Sequence, residues 1–239
     1  MPAPTAATPA AGWPTQCAVC RAWGRARVCT DCTARHAAAR PRCTGCGLVV
    51  PAGVARCGAC IAQPLPFAFC VAALDYAFPW SGLVGALKFR GQTGVVAPLA
   101  DLLAERVRGA GRTREVALVL PVPLGHERLA ERGFNQSSLL ARRVARALAL
   151  PIGSLLLQRV VETPHLADLP QPERARAIRG AFALAPGARP RIEGRALALV
   201  DDVMTTGATA AEAARTLLGA GAASVELWVV ARTPAPMDR

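Results

Sequence analysis

Short aliphatic runs recur along the chain at Phe67 to Leu74, Val116 to Leu120, Leu155 to Val161, Ala196 to Val200 and Val225 to Val230. Each reads as a strand. Between them, apolar residues fall at helical spacing: Gly82 to Phe89, Val95 to Val107, Asn135 to Leu148 and Thr209 to Leu218. These read as helices. Gln171 to Ile178 is polar and Arg-rich, and reads as a helix or a loop. Strands alternating with helices predict an α/β fold with a parallel sheet.

The pattern also divides the chain. Residues 1–15 are rich in Ala, Pro and Thr, with no basic start and no Leu-rich centre, and read as a disordered lead-in rather than a secretory signal. Pro64 and Pro66 mark a linker. Before it, residues 16–62 form a cysteine-rich module; after it, 67–232 form the α/β body, with a flexible tail over 233–239. Apolar residues make up 52% of the 239 positions and charged ones 18%, which excludes a disordered chain. No apolar run approaches the roughly 20 residues that span a bilayer. The expected compartment is the cytoplasm.

Composition changes the picture in two ways. The formal net charge is +12, and of the 28 basic residues only Lys88 is a lysine. A basic balance suits a nucleic-acid partner, but scattered Arg on a solvated surface explains it as well. The nine cysteines are more specific. Cys17/Cys20, Cys29/Cys32, Cys43/Cys46 and Cys57/Cys60 form four C-x-x-C pairs. Two thiolates on one tight turn grip one side of a Zn²⁺, and a second pair completes the tetrahedron. A disulfide framework would fit a short secreted chain instead. Four pairs make two structural Zn²⁺ sites. Sequential pairing is favoured, because each half then resembles a zinc ribbon; interleaved pairing also satisfies the spacing. Arg21, Arg25, Arg27, Arg35, Arg40, Arg42 and Arg56 outnumber Asp31 in this module, which suits a phosphate backbone. Trp13 and Trp23 could stack on bases, but Trp23 is expected to pack against the metal core. Cys70 lies in an apolar run and is expected to be a buried strand residue.

The most informative motif runs from Ala196 to Thr209. An apolar strand ends in Asp201-Asp202, and Thr205-Thr206-Gly207-Ala208-Thr209 then opens a helix. Such a turn aims backbone N–H groups and hydroxyls at one monophosphate, and the helix dipole adds to the attraction. Gly207 allows close approach. Two carboxylates at the strand end can accept hydrogen bonds from vicinal hydroxyls. Phosphate loop and acid pair together describe a ribose 5-phosphate site. The plainer alternative makes Asp202 a helix cap or the partner of an Arg, which accounts for one acid but not two.

Val200 to Thr209 resembles the ribose-phosphate signature of type I phosphoribosyltransferases. Four further motifs stand in order: Leu87-Lys88-Phe89-Arg90-Gly91, Pro121-Val122-Pro123, Arg132-Gly133-Phe134-Asn135-Gln136 and Gly180-Ala181-Phe182. With the four C-x-x-C pairs, they make the chain similar to the ComF (ComF/GntX) family from about Cys17 to Arg232. That family joins a double zinc ribbon to a type I phosphoribosyltransferase-like domain. The resemblance implies that Asp201 and Asp202 hold the ribose hydroxyls of phosphoribosyl pyrophosphate (PRPP). It gives the 5′-phosphate to Thr205, Thr206, Gly207, Ala208 and Thr209. Pro121, Val122 and Pro123 fall where the family's pyrophosphate loop begins, with Arg128 and Arg132 as pyrophosphate candidates. Mg²⁺ would arrive chelated by PRPP.

The resemblance departs from the family at Thr163-Pro164-His165-Leu166 and at Ala177-Ile178-Arg179-Gly180, where the family carries a Gln and an Asn. These departures bear on turnover and acceptor identity more than on PRPP binding. His165 reads as an exposed loop residue before it reads as a general base, and His126 has the better location. The resemblance implies a PRPP-binding, phosphoribosyltransferase-like protein linked to DNA uptake and natural competence. As an enzyme it would be a glycosyltransferase moving a pentosyl group from PRPP to an unidentified acceptor. The alternative is a non-catalytic single-stranded-DNA-binding competence protein whose PRPP site is a sensor or vestige. A competence helicase or recombination proteins are the implied protein partners.

Overall fold

The computed structural model describes residues 13–162 and 176–235. Most of the expected lead-in, the segment holding His165, residues 171–175 and the last four residues lie outside that range. The chain divides into two compact units, Met1–Ala38 and Ala39–Arg239. The division falls inside the 16–62 span that the cysteine spacing groups as one module.

The first unit is a metal-type knuckle. Strand β1 (Thr15–Gln16) pairs antiparallel with β2 (Trp23–Gly24). Between them Cys17 and Cys20 occupy a turn closed by Arg21 N–H donating to the Cys17 carbonyl at 3.0 Å. Helix α1 (Thr30–His36) starts directly after Cys29, with Asp31 in its first turn and Arg35 and His36 in its last, as the helix dipole prefers.

The second unit opens with a repeat of the same device. Gly47 N–H donates to the Cys43 carbonyl at 2.8 Å. Helix α2 (Gly58–Ala62) starts directly after Cys57. The body follows as β3 (Phe69–Asp75), α3 (Trp80–Arg90), α4 (Val96–Gly109), β4 (Leu118–Pro121), α5 (His126–Arg132), α6 (Gln136–Leu148), β5 (Leu157–Arg159), β6 (Phe182–Leu184), β7 (Ala196–Met204), α7 (Ala208–Gly219) and β8 (Ser224–Arg232).

Four strands form a sheet in the order β3-β8-β7-β4, and every pairing is parallel. Leu197, Leu199, Leu227 and Val229 of the central strands share one core with Ala210, Ala213 and Leu217 of α7. The alternate residues Ala198, Val200, Trp228 and Val230 are equally buried. Both faces are therefore covered, as the continuous apolar runs in β7 and β8 require. The Leu155 to Val161 run does not join this sheet. Its strand, β5, pairs antiparallel with β6 in a separate two-stranded ribbon. Gly153 places its amide on the Val119 carbonyl at 2.8 Å, so the chain touches the sheet edge just before β5 begins. Cys70 sits in β3 and is 2% exposed, as expected. Among the described residues, no helix is long and apolar enough to cross a membrane.

Candidate ligand site and metal centres

The carboxyl ends of parallel strands are where open α/β sheets form ligand crevices. Here Asp201 and Asp202 lie in the C-terminal half of β7, adjacent residues whose side chains leave opposite faces of the strand. Asp201 turns toward α6, where Ser137 Oγ donates to its Oδ1 at 2.7 Å. Asp202, 2% exposed, turns toward α3, where Lys88 Nζ lies 2.9 Å from its Oδ1. Its other oxygen, Oδ2, is buried with no hydrogen-bond partner among the described residues. A buried carboxylate oxygen left unsatisfied is costly unless a ligand completes it. Neither acid caps a helix: the N-cap of α7 is Gly207.

These neighbours set the protonation of the pair. Burial pushes the Asp201 carboxyl up to about 7, and the adjacent charge of Asp202 adds to it, against Lys88 and Ser137. Burial pulls Lys88 down, but Asp202 and Asp201 outweigh it and hold the ammonium above the usual lysine range. One cation thus offsets part of the repulsion within the carboxylate pair, which still retains a proton to near neutrality.

The turn after β7 has the geometry of an anion seat. Gly207 has φ 84°, a conformation that selects glycine; the nearest atom to a Cβ there is Met204 Cε, the movable end of a flexible side chain. Helix α7 carries no acidic residue in its first turn and no side-chain bond from its cap residue. Thr206 Oγ1 accepts from Ala208 N–H at 3.4 Å, the weak end of hydrogen bonding. Asp201 and Thr205 to Ala210 line a cavity of about 100 Å³ at this helix start, where the first-turn amides have no intrahelical acceptor.

A larger cavity, about 370 Å³, brings together most of the predicted residues. Asp201, Asp202, Thr205, Thr209, Val122, Pro123, Arg128 and Arg132 all line it. Pro121 lies at the end of β4, opposite Val200 in register. Thr206, Gly207 and Ala208 face the smaller cavity. The turn after β4 is anchored by Asn135, whose Nδ2 donates to the Val122 carbonyl at 3.0 Å and whose Oδ1 accepts from Ser137 N–H at 2.9 Å. Arg128 and Arg132 sit one helical turn apart on α5. Arg132 lies over the Phe89 ring at 5.7 Å.

Several lining residues carried no assigned role in the sequence. Lys88 stood in a recognised motif and is the chain's single lysine, the one available signal for it. Ser137 and Arg159 gave none. Burial, then the charge of Arg128, pulls Arg159 below the usual arginine range. Glu162 and Asp201 act on it in the opposite direction.

Arg232, 8% exposed, ends β8 and was also unforeseen. Its Nε donates to the Cys46 carbonyl at 2.8 Å, and Nη1 donates to the Met204 carbonyl at 3.1 Å. Met204 precedes the anion seat. One buried side chain therefore joins the second cysteine knuckle to that turn.

The cysteines pair sequentially. Cys17, Cys20, Cys29 and Cys32 form one cluster, and Cys43, Cys46, Cys57 and Cys60 another, each with all Sγ atoms within 4.8 Å of one another. Each cluster could hold a metal ion. In the first, Val19 and Cys29 N–H groups donate to Cys17 Sγ, both at 3.4 Å. In the second, Cys57 N–H donates to Cys43 Sγ at 3.3 Å. Against the upward push of burial, such backbone donors hold Cys17 down to about 6 and Cys43 down to about 7. Burial instead pushes Cys32 up to about 12 and Cys46 up to about 11, so each cluster joins one thiolate-favouring sulfur to others that hold their protons. Trp23 departs from expectation: it is 73% exposed rather than packed on the metal core, and Trp13 is 91% exposed.

The fold and site define an α/β protein with a parallel sheet, a carboxylate pair beside a phosphate-type turn, and two Cys₄ clusters. The chain belongs to the ComF family. It is 35% identical to the DNA utilization protein YhgH of Shigella flexneri and of Escherichia coli K12 over 226 residues, covering 92% of this chain and 98% of each relative. It is 33% identical to Competence protein F of Haemophilus influenzae over 208 residues, 86% of this chain and 90% of that protein. Searched against family models, the chain matches none. Among solved structures, the B. subtilis glutamine PRPP amidotransferase complexed with ADP and GMP is similar over 58% of this chain and 26% of that one, at 20% identity and TM-score 0.40. The L. donovani hypoxanthine-guanine phosphoribosyl transferase is similar over 61% and 82%, at 17% identity and TM-score 0.34.

Proposed function

We propose that this protein binds PRPP and acts as a phosphoribosyltransferase-like component of DNA utilization in the cytoplasm. One observation carries the reading: the carboxylate pair and the anion seat are continuous. Asp201, Thr205 and Thr209 line both the small cavity and the large one. A 5′-phosphate in the turn from Thr205 to Thr209 leaves the ribose hydroxyls within reach of Asp201 and Asp202. The unpartnered Asp202 Oδ2 is the acceptor such a hydroxyl satisfies. Arg128 and Arg132, with Arg159 and Lys88, supply positive charge where pyrophosphate would lie. Mg²⁺ would travel on the polyphosphate, shielding its charge.

In the enzymatic form of this reading, catalysis comes from neutralising the departing pyrophosphate and fixing the ribose. Lys88 pairs with Asp202, and Ser137 orients Asp201. Two structural Zn²⁺ ions fill the Cys₄ clusters, whose thiolate-directed N–H groups and Sγ spacing suit that ion.

Calorimetric titration of PRPP–Mg²⁺ into the zinc-loaded chain tests the reading. Saturable binding is expected, and it is expected to disappear in the Asp201→Asn/Asp202→Asn double variant. No binding to folded wild type would sink it.

A second reading rests on the exposure of Trp13 and Trp23. Exposed tryptophans in the same small unit as exposed Arg21, Arg25 and Arg35 suit single-stranded DNA, whose bases would stack and whose phosphates would pair. Anisotropy with a labelled oligonucleotide should show binding that weakens steeply with salt and drops about tenfold in Trp23→Ala, as loss of one stacked base predicts. A salt-insensitive or unchanged titration would remove it.

A further inference from the structure

A third carboxylate stands at the rim of the cationic cleft. Glu162 follows β5 and is exposed. Glu127 N–H, in the first turn of α5, donates to its Oε1 at 3.1 Å. The carboxylate rests against Gly125, where a Cβ would overlap it. Pro123 and Leu124, just before Gly125, line the cleft, and so does Arg128, just after Glu127. Arg159 lines it too, and its Nε turns forward to donate to the Val161 carbonyl at 3.4 Å, next to Glu162. The hydrogen bond to Glu127 and the turn of Arg159 therefore bring Glu162 beside two guanidiniums that would meet pyrophosphate. Its charge acts on Arg159 ahead of that of Asp201 in holding the cation against burial and Arg128.

We propose that the Glu162 carboxylate is a built-in competitor of the pyrophosphate group: it balances the Arg128 and Arg159 charges in the free protein and turns out to solvent when pyrophosphate arrives. The inference rests on the PRPP reading and names the residue that limits affinity for the leaving group. Pyrophosphate brings several negative charges to the same cations, and a carboxylate beside them repels it. An exposed side chain held by one N–H among the described residues is released to water at little cost, since water replaces that bond. The cleft thereby discriminates. A bare anion must displace Glu162 with its own charge alone, whereas PRPP adds the contacts of its ribose 5-phosphate. In the enzymatic form, return of the carboxylate to Glu127 N–H helps pyrophosphate leave. Ribose 5-phosphate, seated at Thr205 to Thr209, makes no demand on Glu162.

The test is calorimetry on the zinc-loaded full chain, with Mg²⁺–pyrophosphate and ribose 5-phosphate as separate probes. Glu162→Gln keeps an oxygen for Glu127 N–H and removes the charge. It should tighten pyrophosphate binding about fivefold at low salt, a gain that shrinks near 0.5 M salt, where screening is short-ranged, at roughly 3–10 Å. Ribose 5-phosphate affinity should stay within about twofold, because its seat does not touch the removed charge. Glu105→Gln, at an exposed position on α4, removes the same charge elsewhere and should leave pyrophosphate affinity unchanged. Pyrophosphate binding seen in Glu162→Gln but not in wild type would also support the proposal. Pyrophosphate affinity that is unchanged or weakened in Glu162→Gln overturns it while the ribose 5-phosphate seat survives. An equal gain in Glu105→Gln assigns the effect to net charge and overturns it as well. If neither probe binds the folded wild type or Glu162→Gln, the PRPP reading falls and takes this one with it.

Discussion

The two Cys₄ clusters are built to one plan and set in different surroundings. In each, a C-x-x-C turn is followed by a residue with positive φ, and the second pair begins a short helix. That residue is Arg21 at φ 65° in the first cluster and Gly47 at φ 71° in the second. Arg21 is exposed. At Gly47 a Cβ would lie 2.8 Å from Ala72 Cβ in β3. The second knuckle is pressed against the sheet, and Cys43, Cys46 and Cys60 belong to its hydrophobic core. Cys70 N–H donates to the Thr44 carbonyl at 2.7 Å, and Arg42 reaches Asp75 at 2.9 Å. The same cysteine motif therefore serves once as the centre of a small unit and once as part of the core that carries the candidate ligand site.

The largest expected effect separates these roles. Cys43→Ser/Cys57→Ser removes two ligands from the second cluster and leaves buried polar atoms in the core. Structural zinc contributes on the order of 10 kcal/mol to its site's folding. Thermal melts followed by circular dichroism should show loss of the cooperative transition, and PRPP binding should vanish. Cys17→Ser/Cys29→Ser should leave the main transition within a few degrees of wild type, while bound zinc falls from two per chain to one. Equal damage from both pairs would break the comparison.

A residue exchange sharpens it further. Gly47→Arg places the first cluster's residue where Ala72 stands, and should cost roughly 2–4 kcal/mol, an overpacking effect with added strain. Arg21→Gly, at an exposed position, should change stability by no more than about 0.5 kcal/mol in urea titrations.

Arg232→Met tests whether the second knuckle communicates with the anion seat. Losing buried charge-assisted bonds to Cys46 and Met204 should weaken PRPP binding about tenfold, near the 1.5–3 kcal/mol typical of such bonds. Ligand-induced protection against zinc extraction by a chelator should shrink in parallel, because coupling is reciprocal. Undiminished protection would show the two sites to be independent.

The smallest effect concerns pH. Asp201 holds its proton to about pH 7 in the folded chain, against an ordinary value of 3.8. As pH rises from about 4 to 7, the unfolded chain ionises first, so this group's contribution to stability falls and its penalty is complete above 7. Asp201→Asn should therefore raise the Tm of ligand-free protein by a few degrees at pH 8, and by less at pH 5.5. A gain that grows on acidification would refute the assignment.

Much of this was legible in the sequence because it is local. The acid pair, the Thr-Thr-Gly turn and the following helix occupy consecutive positions, and a strand end running into a helix start places them together without help. The C-x-x-C spacing likewise reads directly as paired ligands, and the favoured sequential pairing is the one the clusters adopt. The apolar runs located all four sheet strands. The run at Leu155 to Val161 does hold a strand, β5, but apolar density does not tell a sheet strand from one in a two-stranded ribbon. Helix α5 was not anticipated; its sequence, His126 to Arg132, lacks an apolar stripe.

By itself, then, the sequence determined most of the elements, the candidate ligand turn and the two cysteine motifs, since each depends on residues a few positions apart. Tertiary structure alone decided the rest. The strand order β3-β8-β7-β4 brings Lys88 to Asp202 across more than a hundred residues, Ser137 to Asp201, and Arg232 to both Cys46 and Met204. Tertiary packing also made the second cysteine knuckle part of the core. Such pairings depend on which buried charges and polar groups the folded chain must satisfy, and that demand appears only once the sheet has closed around them.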